Sequence, residues 1–262
     1  MNIEIIKESS KNWNDLRNAL NERADNLLIE PTSDQRLLLE KVNNQQRLIQ
    51  KVEEFQLITE MAAHIRKMWD RNSILKIFFF GGQNERTQKV LSFAAEWSIH
   101  CSISFVATNN INESNLRISF TPPFSWSVLG TDAKNISTRD ATMNFGWLDN
   151  STEDKEFKRV VLHEFGHVLG LLHEHQSPSI TINWKKDFVY NHFRFNYNWD
   201  RATVDRNIFE EFEKTNTKFS AVDTESIMGY CIPPEFNYDN IGFPTNFELS
   251  EMDKQFIGTI YP

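Results

Sequence analysis

The run HEFGHVLGLLHEH at residues 163–175 constrains the fold more tightly than any other part of this sequence. His163 and His167 are four residues apart, so on a helix both imidazoles project from one face, one turn apart. Gly170 follows where the chain has to leave that helix, and a glycine can adopt the positive φ that a sharp exit requires. The exit lets His173 swing back toward the other two histidines. One helix and one turn therefore bring three imidazoles together.

Three imidazoles in this arrangement are typical of a catalytic zinc site. Such a site has three protein ligands and an open position for water, whereas a structural site closes all four positions, often with thiolates. Cys101 and Cys231, the only cysteines, are too few to favour the structural kind. Glu164, beside the first histidine, can take a proton from the bound water, whose pKa the metal lowers toward about 7. The sequence therefore predicts Glu164 as the general base and three zinc ligands: His163, His167 and His173.

The remaining histidines and the two cysteines show no comparable pattern. For any single histidine a structural role is the safer interpretation, but for the motif it would require the whole spacing to arise by chance. A structural role is expected for three of the others: His64, His100 and His192. His175 is expected to lie behind the ligands or at the surface. The cysteines are expected to be two thiols or one disulfide.

The composition bears on partners and location. With a net charge of −8 and a pI near 5.4, and with Lys and Arg scattered among acids, the chain has no basic stripe for nucleic acid. No window approaches the roughly 20 apolar residues of a membrane helix. Residues 1–16 lack the apolar run of about 7–15 residues that a secretory signal contains. We expect a monomer without nucleic-acid or membrane partners, either cytoplasmic or exported by a non-classical route.

Residues 1–66 show the pattern of a helical hairpin. Apolar residues recur at helical spacing before Pro31 breaks the pattern. Thr32 and Gln35 then form a capping box at the start of a second, longer amphipathic run. We therefore divide the chain into an N-terminal helical segment, residues 1–66, and a catalytic domain, residues 67–262.

The catalytic part of the sequence mixes strand and helix patterns. ILKIFFF at 74–80, stopped by two glycines, indicates a buried strand, and residues 85–100 have helical spacing. Three further runs predict strands: SISFV, LRISF and ATMNFGW. The histidine-bearing helix follows at about 153–169, with Ser151 or Thr152 as its N-cap. This order of elements predicts an α+β fold.

Beyond the histidine run, the sequence resembles the astacin-like branch of the metzincin metalloproteases, together with bacterial zinc proteases that share HEFGHxLGLxHEHQSP. Five further segments carry the resemblance: SWSVLGTDA, TMNFGW, INW, SIMGY and LSEMDKQFIGTIY. Together they cover roughly residues 67–262. The resemblance implies a zinc-dependent endopeptidase with a two-lobed domain. One lobe would be a twisted five-stranded mixed sheet with two long helices, and the other would be mostly irregular and end in a short helix.

The resemblance also implies roles for residues outside the histidine run. Met228 in SIMGY matches a methionine turn that underlies the ligands. Tyr230 matches a tyrosine that acts as a retractable fifth zinc ligand and helps to stabilise the oxyanion; a buried structural tyrosine is the alternative. Gly229 stands where typical astacins have a histidine that is not a ligand, so the catalytic assignment is unaffected. Peptide substrates of this family bind extended and antiparallel to an edge strand, which ATMNFGW would supply.

Two other functions stay open at this point. The chain could be a toxin or effector protease that cuts one host protein. It could also be a catalytically silent, zinc-stabilised binding module, although the presence of Glu164 argues against this. Digestion of casein beside a crude host extract separates the general protease from the effector, because the first degrades broadly and the second removes a single band.

Residues 1–66 could block the open zinc position or recognise a substrate. In typical astacins the residue matching Glu174 meets the new N-terminus of the mature enzyme, so either this segment is removed or Glu174 has another partner. Inhibitory pro-segments of the metzincins block the open zinc position with a cysteine or an aspartate. This segment has no cysteine, so the resemblance implies that an inhibitory contact would use an acid such as Asp15, Asp25 or Asp34. Deleting residues 1–66 separates the alternatives. Faster cleavage of a quenched peptide indicates a latch, whereas unchanged peptide cleavage with lost activity on a protein substrate indicates recognition.

Overall fold

A mixed five-stranded sheet forms the centre of the computed structural model, which describes residues 67–82, 84–122, 124–177, 180–211 and 222–262. The strands are β1 (Ile74–Phe79), β2 (Ser104–Ala107), β3 (Leu116–Ser119), β4 (Ser125–Ser127) and β5 (Met143–Phe145). Their order across the sheet is β2-β1-β3-β5-β4, with β4 antiparallel to β5 and every other pair parallel. The sheet confirms the α+β class and the four predicted strands.

The predicted helical hairpin of residues 1–66, including His64, lies outside the described residues. The first residues that the structure describes are already tied to the core. Lys67 Nζ lies 2.8 Å from the Asp132 carboxylate in a buried ion pair. Trp69 Nε1 donates a hydrogen bond of 2.8 Å to the Val168 carbonyl. From residue 67 onward, therefore, the chain packs against the end of the histidine-bearing helix.

Two long helices pack against each other in the sheet-containing lobe: α1 (Glu85–Ser98) and α2 (Asp154–Val168). Asn84 and Thr87 form a capping box at the start of α1. Trp97 of α1 is fully buried, and its Nε1 donates to the Leu162 carbonyl of α2 at 3.0 Å. Both predicted helices are confirmed, and α2 is held in place along the turn that precedes the first histidine.

The predicted N-cap of α2 is wrong. Glu153 occupies the cap position and makes no side-chain cap bond. Ser151 Oγ donates instead to Asp149 Oδ1 at 2.6 Å, and the amides of Ser151 and Thr152 donate to the same oxygen at 2.8 and 3.0 Å. These bonds lower the pKa of Asp149. An ionised carboxylate is a strong acceptor that closes a turn readily, so the hydroxyls serve that turn and not the helix end.

The antiparallel strand β4 forms the sheet edge beside α2. The prediction that ATMNFGW supplies this edge is wrong, because β5 lies between β3 and β4. A strand of only three residues, two of them serines, gave no hydrophobic pattern to read. Val128 N bonds to Thr142 O at 2.9 Å. By the alternation of an antiparallel pair, the main-chain groups of Ser125 and Ser127 therefore point away from β5.

The chain after the histidine run builds a second, smaller core. Around it lie α3 (Lys186–Tyr197), α4 (Arg201–Val204) and a π-helical turn at Asp205–Phe209. Its buried side chains are Ile182, Val189, Val204, Ile208, Ile232, Phe236 and Phe243. The two separate cores confirm the two-lobed domain. The last helix, α5 (Glu251–Ile260), ends the chain as expected, but its buried isoleucines belong to the first core.

Among the described residues, no helix is long and apolar enough to cross a membrane.

Arg117 on β3 holds the segment that connects β4 to β5. Its side chain is buried, and the guanidinium donates to the carbonyls of Asp140 at 2.8 Å, Ile136 at 3.0 Å and Ala133 at 3.3 Å. Burial lowers the pKa of Arg117, but arginine ordinarily titrates so far above neutrality that the cation persists. One side chain thus satisfies three loop carbonyls, and the loop in turn fixes where β4 lies.

Replacing Arg117 with methionine should lower the free energy of unfolding by about 2–4 kcal/mol, because three loop carbonyls lose the buried side chain that donates to them. Urea unfolding of the zinc-loaded protein measures this. Arg139→Met changes the same chemistry in the same loop at an exposed position, and it should shift stability by no more than about 0.5 kcal/mol. Equal effects of the two substitutions would show that the buried bonds contribute nothing specific.

Candidate metal centre and active site

The three histidines of the run converge on one point. His163 and His167 project from α2, and His173 returns to them after the helix has ended. One ring nitrogen from each lies within 4.8 Å of the others, the only such group of three ligand side chains among the described residues. The Nε2 atoms of His167 and His173 are 3.2 Å apart. Two nitrogens bound tetrahedrally to zinc at about 2.0–2.1 Å would be about 3.3 Å apart, so this spacing fits.

The opposite nitrogen of each imidazole has an acceptor. His163 Nδ1 lies 2.9 Å from Ile227 O, His167 Nδ1 lies 2.8 Å from Leu171 O, and His173 Nδ1 lies 2.9 Å from Gln176 Oε1. Because a carbonyl oxygen can only accept, each Nδ1 must carry the hydrogen. Each Nε2 then presents a lone pair toward the others, which is the tautomer that a metal ligand requires.

Burial keeps these imidazoles neutral. It lowers the pKa of His167 to about 4 and the pKa values of His163 and His173 well below the ordinary value, with the neighbouring histidines adding to the effect on the last two. A protonated imidazole cannot bind a metal, and a neutral one needs no proton removed. The donor set, its tautomers and its charge state therefore fit a zinc ion.

Gly170 makes the exit that brings the third histidine back. Its φ is +87°, as the sequence predicted. Its amide bonds to His167 O and the next amide, of Leu171, bonds to Gly166 O, both at 2.9 Å. These bonds close the helix end in the way that a left-handed residue permits. The same turn places Leu171 O where it accepts from the second histidine.

Glu164 and Tyr230 both lie at the imidazole cluster. Glu164 is only 7% exposed, and burial raises the pKa of its carboxyl group to about 8, an effect that Arg159 opposes. The Tyr230 ring centroid is 4.2 Å from that of His173 and 5.8 Å from that of His163. Burial, together with the charge of Glu164, raises the pKa of Tyr230, so its hydroxyl keeps its proton. The site thus holds a carboxyl group and a hydroxyl donor beside three lone pairs.

The other candidate residues occupy supporting positions. His175 is buried, stacks against both His173 and Tyr230, and bonds through Nε2 to Asn207 O at 2.9 Å. It lies next to the imidazole cluster, as expected. Glu174 Oε1 accepts from the amide of Asp223 at 3.0 Å, and burial raises its pKa to about 7.

Both cysteines are free thiols. Cys101 is half-buried and Cys231 is exposed, so the alternative of a disulfide between them is not realised.

The methionine turn is supported by two residues that sequence reasoning missed. Asp253 accepts from Ser226 Oγ at 2.7 Å and from the amide of Ile227 at 2.8 Å, while it also accepts from the amide of Ser250 at 3.0 Å. One carboxylate therefore caps α5 and holds the turn whose Ile227 carbonyl orients His163. The spacing Ser250-x-x-Asp253 is a capping-box pattern, so the sequence carried a signal for it.

Gly166 is the second missed residue. A Cβ built there would lie 2.2 Å from Met228 Sδ, far inside van der Waals contact. Met228 itself is 2% exposed. Because Gly166 has no side chain, the side chain of Met228 fits against α2 between the first two histidines. This role depends on a contact across 62 residues of sequence, which spacing within the motif does not show.

Comparison with known proteins gives a consistent result. The family model for the astacin peptidases matches residues 61–259. Two structures of myroilysin are 40% and 39% identical, cover 76% and 75% of this chain and 97% and 86% of their own, and have TM-scores of 0.72 and 0.58. High choriolytic enzyme 1, a hatching enzyme zinc-protease from Oryzias latipes (medaka fish), shares the fold at 15% identity, a TM-score of 0.50, and coverage of 74% and 94%. No curated protein sequence matches significantly.

Adding a methyl group at position 166 should force Met228 out of its place. Gly166→Ala is expected to cost about 1–3 kcal/mol of unfolding free energy in the zinc-loaded protein, the usual cost of overpacking. Met228→Ala alone should cost about 2–5 kcal/mol by leaving a cavity. The double variant tests the contact, because the new methyl group then fills part of that cavity. Urea unfolding should show a loss well below the sum of the two single losses, and strict additivity would contradict the assignment.

Proposed function

The chain belongs to the astacin family of zinc-dependent peptidases, and on this basis we propose that it is an endopeptidase that hydrolyses protein substrates through Glu164 and Tyr230. The observation that carries the proposal is the geometry of the three imidazoles. Each has its Nδ1 bonded to an acceptor and its Nε2 turned toward the common centre, next to a buried carboxyl group.

In this proposal zinc is held by the Nε2 atoms of His163, His167 and His173. When bound, it supplies Lewis acidity that lowers the pKa of water toward about 7 and polarises the substrate carbonyl. Among the described residues, three side chains converge on the centre, and a tetrahedral site has four positions. The open fourth position is what separates a catalytic arrangement from a structural one.

Glu164 acts as the general base. Its carboxylate takes a proton from the attacking water and can return it to the nitrogen of the leaving amine. Burial alone would keep this carboxyl group protonated, but a dication at the adjacent imidazoles favours the carboxylate form. The low exposure of Glu164 also places it where bulk water does not compete for the proton.

Tyr230 acts as a hydrogen-bond donor to the oxyanion. Its hydroxyl is protonated at neutral pH, since burial raises its pKa. The contact of its ring with His173 supports this role, because it brings Tyr230 next to a proposed ligand. A donor held at the edge of the site stabilises the charge that develops on the carbonyl oxygen more than it stabilises the substrate.

The substrate binds as an extended peptide along the edge of β4, with which no other described strand pairs. The main-chain groups of Ser125 and Ser127 offer the donors and acceptors of one more antiparallel strand, and β4 lies beside α2. Main-chain pairing accepts many sequences, so cleavage preference has to come from side-chain contacts. We propose that the protein acts as a monomer on protein or peptide substrates, with no nucleic-acid or membrane partner.

Glu164→Gln should separate zinc binding from hydrolysis. Metal analysis should find one zinc per chain in both the wild type and the variant, since the ligands are unchanged. The kcat/KM for a quenched peptide should fall by roughly 10²–10⁴-fold, because the amide cannot accept the proton. His167→Ala serves as the matched control and should lose both zinc and activity. Active wild-type protein without zinc would refute the proposed function, and high residual turnover in the glutamine variant would assign the base elsewhere.

Tyr230→Phe should lower kcat by about 10- to 100-fold and leave KM nearly unchanged, because the lost hydrogen bond forms mainly in the transition state. Tyr238→Phe removes the same hydroxyl group from an exposed ring and should leave both constants unaltered. Steady-state kinetics on one peptide measures the two variants side by side. An unchanged kcat in Tyr230→Phe would return this residue to a structural role.

A further inference from the structure

The third imidazole is held differently from the other two. His163 and His167 donate to main-chain carbonyls that belong to the turns next to α2. His173 donates to a side chain, Gln176 Oε1, at 2.9 Å. Gln176 is 2% exposed, so water does not replace it. The orientation of the His173 ring therefore depends on the contacts that hold the side-chain amide of Gln176.

That amide is fixed by the second lobe. Gln176 Nε2 donates to the Arg206 carbonyl at 2.6 Å, within the π-helical turn at Asp205–Phe209. The two contacts also distinguish the amide nitrogen of Gln176 from its amide oxygen. A carbonyl at Arg206 requires the amide nitrogen, and the hydrogen on His173 Nδ1 requires the amide oxygen. Reversing the amide would leave both partners mismatched.

The neighbouring side chain makes a parallel contact to the same turn. His175 Nε2 bonds to the Asn207 carbonyl at 2.9 Å, next to the carbonyl that Gln176 holds. The turn itself closes through the amide of Glu210, which donates to Asp205 O at 2.8 Å. His175 and Gln176 thus bond to the carbonyls of two adjacent residues, Asn207 and Arg206, in one turn. The π-helical turn and the ring of His173 form a single hydrogen-bonded unit.

From this geometry we propose that Gln176 is a positioning residue that couples the third zinc ligand to the turn at Asp205–Phe209. The inference rests on the proposed function, in that it takes His173 to be a ligand. Two effects follow from one amide. The oxygen end holds His173 in the tautomer and orientation that bind zinc, and the nitrogen end transmits the order of the metal site to the turn. Coupling of this kind is reciprocal, so zinc should order the turn as the turn supports zinc.

Two substitutions separate the two ends of the amide. Gln176→Leu removes both contacts, and it should weaken zinc binding by about 10- to 100-fold, the usual effect of losing the partner of a metal-binding histidine. Gln176→Glu keeps an acceptor for His173 but places a carboxylate oxygen against the Arg206 carbonyl. It should release the turn and weaken zinc binding less than the leucine substitution does, because only the contribution of the turn is lost. Gln88→Leu makes the same change at an exposed position of α1 and should alter neither property.

The experiment measures zinc affinity by competition with a chelator, and hydrogen exchange of the amides of residues 205–210 with and without zinc. In the wild type and in Gln88→Leu, zinc should slow exchange in the turn. In both Gln176 variants this slowing should disappear, and the leucine variant should lose more zinc affinity than the glutamate variant. A purely structural role would lower the stability of the zinc-free protein without changing the affinity of the folded protein. The cobalt-substituted protein adds a spectroscopic check, since a tilted third ligand shifts its visible absorption.

The outcomes distinguish this inference from the proposed function. A wild type that binds no zinc would refute the proposed function. A wild type that binds zinc, beside a Gln176→Leu variant that binds it equally well, would overturn the inference alone. Exchange in the turn that does not respond to zinc in the wild type would also overturn it. If the leucine variant does not fold, the glutamate variant still decides, because its turn must lose the zinc-dependent protection.

Discussion

The hydrogen bond on the far nitrogen of each metal-facing imidazole is the interaction on which the rest of the site depends. Its three acceptors come from different parts of the chain: the methionine turn, the exit from α2 and a side chain that reaches the second lobe. Each acceptor needs its own support. Asp253 holds the first, Gly170 creates the second, and Arg206 anchors the third. The convergence of three rings is therefore a property of the whole domain, although the rings themselves lie within eleven residues of sequence.

The electrostatics of the site favours a bound cation. The Nε2 atoms of His167 and His173 face each other at 3.2 Å with lone pairs directed inward, and burial opposes the protonation that would relieve their repulsion. Glu164 is buried beside them in a setting that disfavours its charge. A single dication removes both costs, because it binds the lone pairs and stabilises the carboxylate. Zinc binding and the stability of the domain are linked for this reason.

The parts of this fold that could be predicted from the sequence are those that local periodicity encodes. The motif helix, the four hydrophobic strands and the glycine exit each have a pattern confined to a few residues, and each is where the sequence placed it. The edge strand β4 was not predicted, because a strand of three residues with two serines has no hydrophobic alternation. The cap of α2 was misassigned because Asp149 competes for the same hydroxyls and amides. The roles of Gly166 and Gln176 were not predicted, because Gly166 contacts Met228 and Gln176 contacts Arg206, and both partners are distant in sequence.

The two sides of the site are held by different kinds of interaction. On the side of β4, Asn144 is fully buried; its amide nitrogen donates to Thr121 O and Phe124 O, and its oxygen accepts from the amide of Thr121. Together with Arg117, this fixes the edge strand from within the first core. On the other side, the turn at Asp205–Phe209 is joined to the segment after His173 through the side chains of His175 and Gln176. Side-chain bonds break and re-form more readily than a strand leaves a sheet. A main-chain edge held in the sheet suits the proposed binding of an extended peptide, because main-chain pairing needs donors and acceptors at fixed positions.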